Sequence, residues 1–158
     1  MRRKRGSGMS GRWFGLHSAV YLLFIRDGRI LLLRRANTGF EDGKFSLVAG
    51  KLDGGEEVRA AAVREAYEES GLLVKIEDLE VVQVIHRNSD SGEWVDFFLN
   101  VRAWEGEPCN REPDKCSELG WFPLDALPSD MIGYVKQTVE KIVRGEGFYD
   151  SFGFEARA

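Results

Sequence analysis

Residues 50–72 read GKLDGGEEVRAAAVREAYEESGL, and the organisation of the chain turns on them. Glu65, Glu68 and Glu69 recur there at the three- and four-residue spacing that brings side chains to one side of a helix. At about 100° per residue, with Glu65 as origin, Glu69 falls near ~40° and Glu68 near ~300°, so the carboxylates share an arc of about 100°. Such a cluster repels itself unless a cation sits in it. Ala61, Ala62 and Ala66 lie close to the acidic arc, where small side chains let another segment approach the helix. A purely solvated acidic face has no need of that. Oxygen-only ligands suit Mg²⁺ or Mn²⁺ rather than Zn²⁺. An exposed Glu-rich helix has the same spacing, so the cluster alone leaves both readings open.

The rest of the pattern decides between them. Gly50, Glu56 and the run Arg64-Glu65-Ala66-Tyr67-Glu68-Glu69-Ser70-Gly71-Leu72 resemble, position by position, the signature box of the Nudix hydrolases, G-x5-E-x7-R-E-U-x-E-E-x-G-U with U a bulky aliphatic residue. Ala66 is the soft match. Fixed residue types at fixed spacing over such a length carry far more information than a lone glycine-rich triplet. The resemblance implies an α+β fold, a Nudix-type α/β/α sandwich with a mixed sheet between helices, and hydrolysis of a P–O–P bond in a nucleoside diphosphate derivative. It gives Glu65, Glu68 and Glu69 to the metal, adds the backbone carbonyl of Ala49, and pairs Glu56 with Arg64 as a structural brace. Residues 104–113, WEGEPCNREP, resemble the MutT-type loop whose last glutamate serves as a further metal ligand and base, here Glu112. The catalytic candidates are therefore Arg64, Glu65, Glu68 and Glu112, with Glu65, Glu68 and Glu112 each eligible as general base. Arg35 and Lys51 stand where MutT-like members contact or balance the phosphates. Leu47 and Asp130 complete the positions carried over as substrate-binding.

Around the box, residues 17–25 and 29–35 are apolar, β-rich runs separated by Arg26-Asp27-Gly28, a strong hairpin signal. Their near-continuous hydrophobicity predicts burial on both faces, under covering helices. A polar loop, residues 36–44, leads to the short run 45–48, which ends in Val-Ala-Gly where the family usually has proline before the glycine. Glu56 and Glu57 suit the positive end of a helix, and Gly71 its stop. Strands are expected over residues 79–85, 94–104 and 119–122, with 86–92 as a polar turn. In the second of these, Val95, Phe97, Leu99, Val101 and Ala103 form the apolar face, opposite a mixed one. Residues 131–144 read as an amphipathic helix. The aromatics of residues 145–158 have two readings, packing on the domain or a dimer contact.

The 158 residues fit one domain over 12–158, preceded by a basic, glycine-rich tail at 1–11 expected to be disordered. A net charge of −4 gives no general attraction to nucleic acid or anionic membrane. No apolar run is long enough to span a bilayer, and no signal-peptide core is present. Cys109 and Cys116 are too few for a disulfide framework or zinc site, so a cytoplasmic setting is expected, with the chain as monomer or homodimer. The absence of proline between Leu72 and Pro108, together with the WEGEP loop, favours by resemblance a Mg²⁺-dependent (or Mn²⁺-dependent) nucleoside triphosphate pyrophosphatase yielding NMP and pyrophosphate, on an 8-oxo-dGTP-like or CTP-like substrate. The alternatives are another nucleoside diphosphate derivative, such as a nucleotide sugar, and a non-catalytic nucleotide-binding module. The intact Arg64, Glu65, Glu68 and Glu69 speak against the last.

Overall fold

The acidic helix forms where expected, as α1 (Val58–Ser70). Glu57 caps it, its carboxylate accepting the Arg59 N–H at 3.1 Å. Gly71, at φ 71°, ends it in the left-handed conformation with its N–H on the Tyr67 carbonyl. Ala61, Ala62 and Ala66 are fully buried, so the helix backbone lies close against its sheet. The computed structural model describes Gly11 and residues 13–155; the tail expected over residues 1–11 lies, save Gly11, outside the described residues.

The strands are β1 (His17–Leu23), β2 (Ile25–Arg26), β3 (Arg29–Arg35), β4 (Phe45–Ser46), β5 (Val48–Lys51), β6 (Leu79–Ser89), β7 (Gly92–Val101), β8 (Cys116–Pro123) and β9 (Tyr149–Phe152), with a second helix, α2 (Gly133–Val143), before the last. They form a five-stranded mixed sheet in the order β5-β1-β7-β6-β9 and a smaller sheet in which β3 pairs with β2, β4 and β8. In the larger sheet β1 runs parallel to β7, and β9 parallel to β6. Side chains of β1 alternate between two cores. Val20 and Leu22 pack on the α1 side, and Ala19, Tyr21 and Leu23 pack with Val135 and Val139 of α2. Burial on both faces, read from the unbroken hydrophobicity of this run, is what the sheet shows. Among the described residues no helix is long and apolar enough to cross a membrane.

Four expectations are corrected. The run 17–25 is not one strand: it breaks at the fully buried Phe24, so that β1 enters the large sheet and β2 the small one. The hairpin at Asp27-Gly28 forms, both residues at positive φ, but joins only the two residues of β2 to β3. The polar turn expected over 86–92 contracts to Asp90-Ser91, because β6 continues in register with β7 as far as Ser89↔Gly92. The face of β7 read as mixed is also buried: Trp94, Asp96 and Phe98 point toward α2, and Asp96 is tolerated because Arg87 of β6 pairs with it. Leaving either charge unpaired there costs about 3–5 kcal/mol. The C-terminal aromatics divide: Phe152, on β9, packs against the α2-side core, whereas Phe148 and Tyr149 stay exposed.

The loop before α1 is held to the helix by one arginine. Glu56 accepts Arg64 Nε at 3.1 Å and Nη2 at 2.6 Å, and also takes the Asp53 N–H at 2.9 Å. Arg64 Nη2 donates in addition to the Lys51 carbonyl at 3.0 Å, joining helix, loop and β5. The guanidinium beside it holds Glu56 down from 4.5 to about 2. A carboxylate whose value is lowered by folding contributes stability that is present above its unfolded value and lost as pH falls toward the folded one. The urea midpoint of Glu56→Gln should therefore lie below that of the wild type at pH 7, and the gap should narrow as pH drops below about 4.5. A gap that stays constant down to pH ~3 would show that the brace contributes nothing through its charge.

Candidate active site

Gly50 of β5 has no side chain, and a Cβ built there would overlap the Glu65 carboxylate. Glu65 occupies that space and is 8% exposed. Glu69 reaches the same strand one residue earlier, accepting the Ala49 N–H at 3.2 Å. Glu68 is more exposed and shares Arg64 with Glu65: Nη1 donates to Glu65 at 2.7 Å and to Glu68 at 3.2 Å. Arg64 thus braces the loop with one side of its guanidinium and orients two carboxylates with the other.

These groups open on a cavity of about 1200 Å³. Glu65, Glu68, Glu69, Arg64, Ala49, Lys51, Arg35 and Glu112 all line it. Glu112 comes from the loop before β8, with Lys115 Nζ 3.8 Å away. Burial pushes Glu65 up to about 7 against the pull of Arg64, with the charges of Glu68 and Glu112 adding to the rise. Burial raises Glu69 well above the carboxylate range, and the charges of Glu65 and Glu112 raise it further while the Ala49 amide opposes them. Desolvated, mutually repelling carboxylates favour either a proton or a cation. Their donors are all hard oxygens, the chemistry that fits Mg²⁺ or Mn²⁺. Among the described residues no three acidic, histidine or cysteine side chains stand in a ready-made cage. The arginine explains this for one pair, since Nη1 lies between Glu65 and Glu68.

Two of the positions carried over as substrate-binding fall elsewhere. Leu47 is fully buried in the α2-side core and is not on the cavity wall. Asp130 lies off the cavity, its carboxylate accepting Arg34 Nη1 at 2.9 Å and its carbonyl the Phe45 N–H at 3.0 Å. Glu56 is likewise off the wall, in its bracing place. Arg35 lines the cavity while securing the loop that follows it, through the Phe40 carbonyl at 2.7 Å and Thr38 Oγ1 at 3.0 Å. Lys51 extends with its ammonium 5.3 Å from the Trp94 ring centroid. His86 pairs with Glu93 at 3.1 Å and does not face the cavity.

The sequence did not single out the far wall, made by Tyr21, Arg87, Trp94 and Tyr134. Arg87 and Asp96 lie nine residues apart on two strands joined by a tight turn. A charged residue at an otherwise apolar position on each of two adjacent strands is the one signal that could have marked them.

A NUDIX domain model matches residues 15–142. The ADP-ribose pyrophosphatase of Methanocaldococcus jannaschii is 33% identical over 115 residues, 72% of this chain and 66% of the archaeal protein. The oxidized purine nucleoside triphosphate hydrolase of Danio rerio is 33% identical over 112 residues, 68% of this chain and 66% of the fish protein. The match thus spans just under two thirds of each of these relatives. The crystal structure of a MutT NUDIX hydrolase from Burkholderia pseudomallei superposes with a TM-score of 0.72 at 32% identity, covering 80% of this chain and 98% of that one. With a family model matching most of its length and the signature box folded around Gly50 and Glu65, the chain belongs to the NUDIX family.

Proposed function

We propose that the protein is a Mg²⁺-dependent pyrophosphohydrolase that cleaves a nucleoside triphosphate to the monophosphate and pyrophosphate, with Mn²⁺ as a substitute ion. The observation that carries this reading is the convergence of carboxylates from two separate segments, α1 and the loop at Glu112, on a cavity that also receives Arg35 and Lys51. Glu65, Glu68, Glu69, Glu112 and the Ala49 carbonyl are the groups that would hold the ion. When bound, a divalent ion neutralises the polyphosphate and makes its phosphorus easier to attack.

The chain's own residues supply the rest. Arg35 and Lys51 place donors where phosphate oxygens carry charge, positioning the anhydride and offsetting the charge of the departing pyrophosphate. A water oxygen bonds to phosphorus, its proton passes to one of Glu65, Glu68 or Glu112, and the bridging P–O bond breaks with its electrons leaving on pyrophosphate. Arg64 acts on this step by fixing the orientation of Glu65 and Glu68. The likeness to the fish triphosphate hydrolase supports a triphosphate substrate. A second reading, hydrolysis of a nucleoside diphosphate joined to another group, rests on the equally similar archaeal ADP-ribose pyrophosphatase.

Pyrophosphate or phosphate release with Mg²⁺ from a panel of triphosphates, ADP-ribose and nucleotide sugars separates the readings. Triphosphates should be turned over, and Glu69→Gln should lower kcat by about 100-fold or more. A panel without turnover, or a variant equal to wild type, would sink the catalytic proposal; turnover of ADP-ribose or nucleotide sugars alone would favour the second reading. Gly50→Ala offers a separate check, because the added methyl takes the space of the Glu65 carboxylate. It should weaken Mn²⁺ binding, read by electron paramagnetic resonance, and reduce kcat by about 10-fold or more, as misplacing a group by ~1 Å can do. Unchanged Mn²⁺ affinity in a folded Gly50→Ala protein would remove Glu65 from the ion site.

A further inference from the structure

The cavity crosses the α2 face of the large sheet. Lys51 on β5 pairs with Ala19 on β1, Ala19 with Asp96 on β7, and Asp96 with Ile85 on β6, which places Arg87 at the far side. Three strand spacings separate β5 from β6, about 14 Å. That is the reach of a nucleoside triphosphate from its phosphates to the outer edge of its base. The small side chain of Ala19 lines the cavity between these ends, leaving room for a ligand to lie across the strands.

Arg87 is 6% exposed yet lines the cavity. Asp96 accepts its Nε at 2.7 Å and its Nη2 at 3.2 Å. The guanidinium lies over the rings of Tyr134, at 4.6 Å, and Trp94, at 5.3 Å. Among the described residues its Nη1 has no hydrogen-bond partner. It is not a sealed orphan either: among the described residues the buried side-chain polar atom lacking both partner and access is Gln83 Oε1. A guanidinium held by a carboxylate and two aromatic faces cannot swing, so the direction of its free N–H groups is set in advance.

The charge of this wall says what those donors meet. Asp96 neutralises Arg87, and the Asp90 carboxylate offsets the Lys51 ammonium that lies over Trp94, so the wall has no net charge to draw a phosphate. Its directed donors suit a neutral acceptor such as a keto oxygen of a heterocycle. Resting on the nucleotide-hydrolase reading, we infer that Arg87 is a specificity residue that donates through Nη1 to a keto oxygen of the substrate's nucleobase, selecting 6-oxopurines over adenine. Adenine presents an amino donor at the corresponding position and leaves the Arg87 donors unpaired.

Inosine and adenosine nucleotides differ chiefly at that position and isolate the effect. The full chain should show a kcat/KM for ITP over ATP, and an affinity for inosine 5′-monophosphate over adenosine 5′-monophosphate by titration calorimetry, of about 5-fold or more. Two variants test the source. Arg87→Lys keeps the charge opposite Asp96 but spends its ammonium on that carboxylate. Arg87→Met with Asp96→Asn removes both charges together, so neither is left buried alone. Both should bring the base preference to about one, in turnover and in monophosphate affinity alike, a pattern that mere loosening of the fold would not give. A wild type without the preference, or a folded variant that keeps it, overturns the inference. The monophosphate titration requires no turnover: if no triphosphate is hydrolysed but the Arg87-dependent preference appears, the functional reading fails and the base-reading role stands.

Discussion

The close approach of Glu65 to the backbone of β5 at Gly50 is the contact on which the site depends. It brings helix and strand together at a point where any side chain on the strand would exclude the carboxylate. The fully buried Ala61, Ala62 and Ala66 lower the helix onto the sheet, and Glu69 fixes its depth through the Ala49 amide. Arg64 then ties the loop, the strand carbonyl at Lys51 and two carboxylates to one guanidinium. One arginine serves both sides: Glu56 and Lys51 hold the loop through it, and Glu65 and Glu68 are oriented by it.

Such an arrangement is electrostatically costly without a counter-charge. Desolvation raises both Glu65 and Glu69, and each is raised again by neighbouring carboxylates. A fold built only for stability would place alanine or glutamine at these positions, since burying a carboxylate without a partner is unfavourable. Arg64 relieves Glu65 but leaves Glu69 with a single amide. The residual strain is what a divalent cation would relieve, and the gain would appear as binding energy rather than folding energy.

The sheet's arrangement was only partly legible in the chain. Unbroken hydrophobicity in residues 17–25 and 29–35 correctly indicated burial on both faces, because each run feeds side chains to both cores. It did not reveal that Phe24 is where the chain changes sheets, since a residue buried between two sheets looks no different from its neighbours in a run of apolar residues. Alternation in β7 misled in the opposite way. Asp96 and Trp94 read as a tolerant, mixed face, yet that face is buried, and the aspartate is there because Arg87 on the adjacent strand completes it. Periodicity reports which residues share a face; it does not report whether a charge on that face has a partner.

The same distinction separates the two ends of the cavity. At the carboxylate end the decisive contacts lie close along the chain: Glu56 to Arg64 across eight residues, Arg64 to Glu68 across four, Ala49 to Glu69 across twenty. Helical spacing fixes most of these distances before the rest of the protein folds, so a motif can record them. At the opposite end Tyr21 meets Tyr134, 113 residues away, at 2.5 Å, and Arg87 stacks between Trp94 and Tyr134. Those contacts exist only once β1, β6, β7 and α2 have assembled. Leu47, between β4 and β5, falls into the core and Asp130 onto Arg34, because positions outside the helix do not carry over by counting. An arrangement encoded on one helix can be read from sequence, whereas a wall assembled from four elements has to be read from the fold.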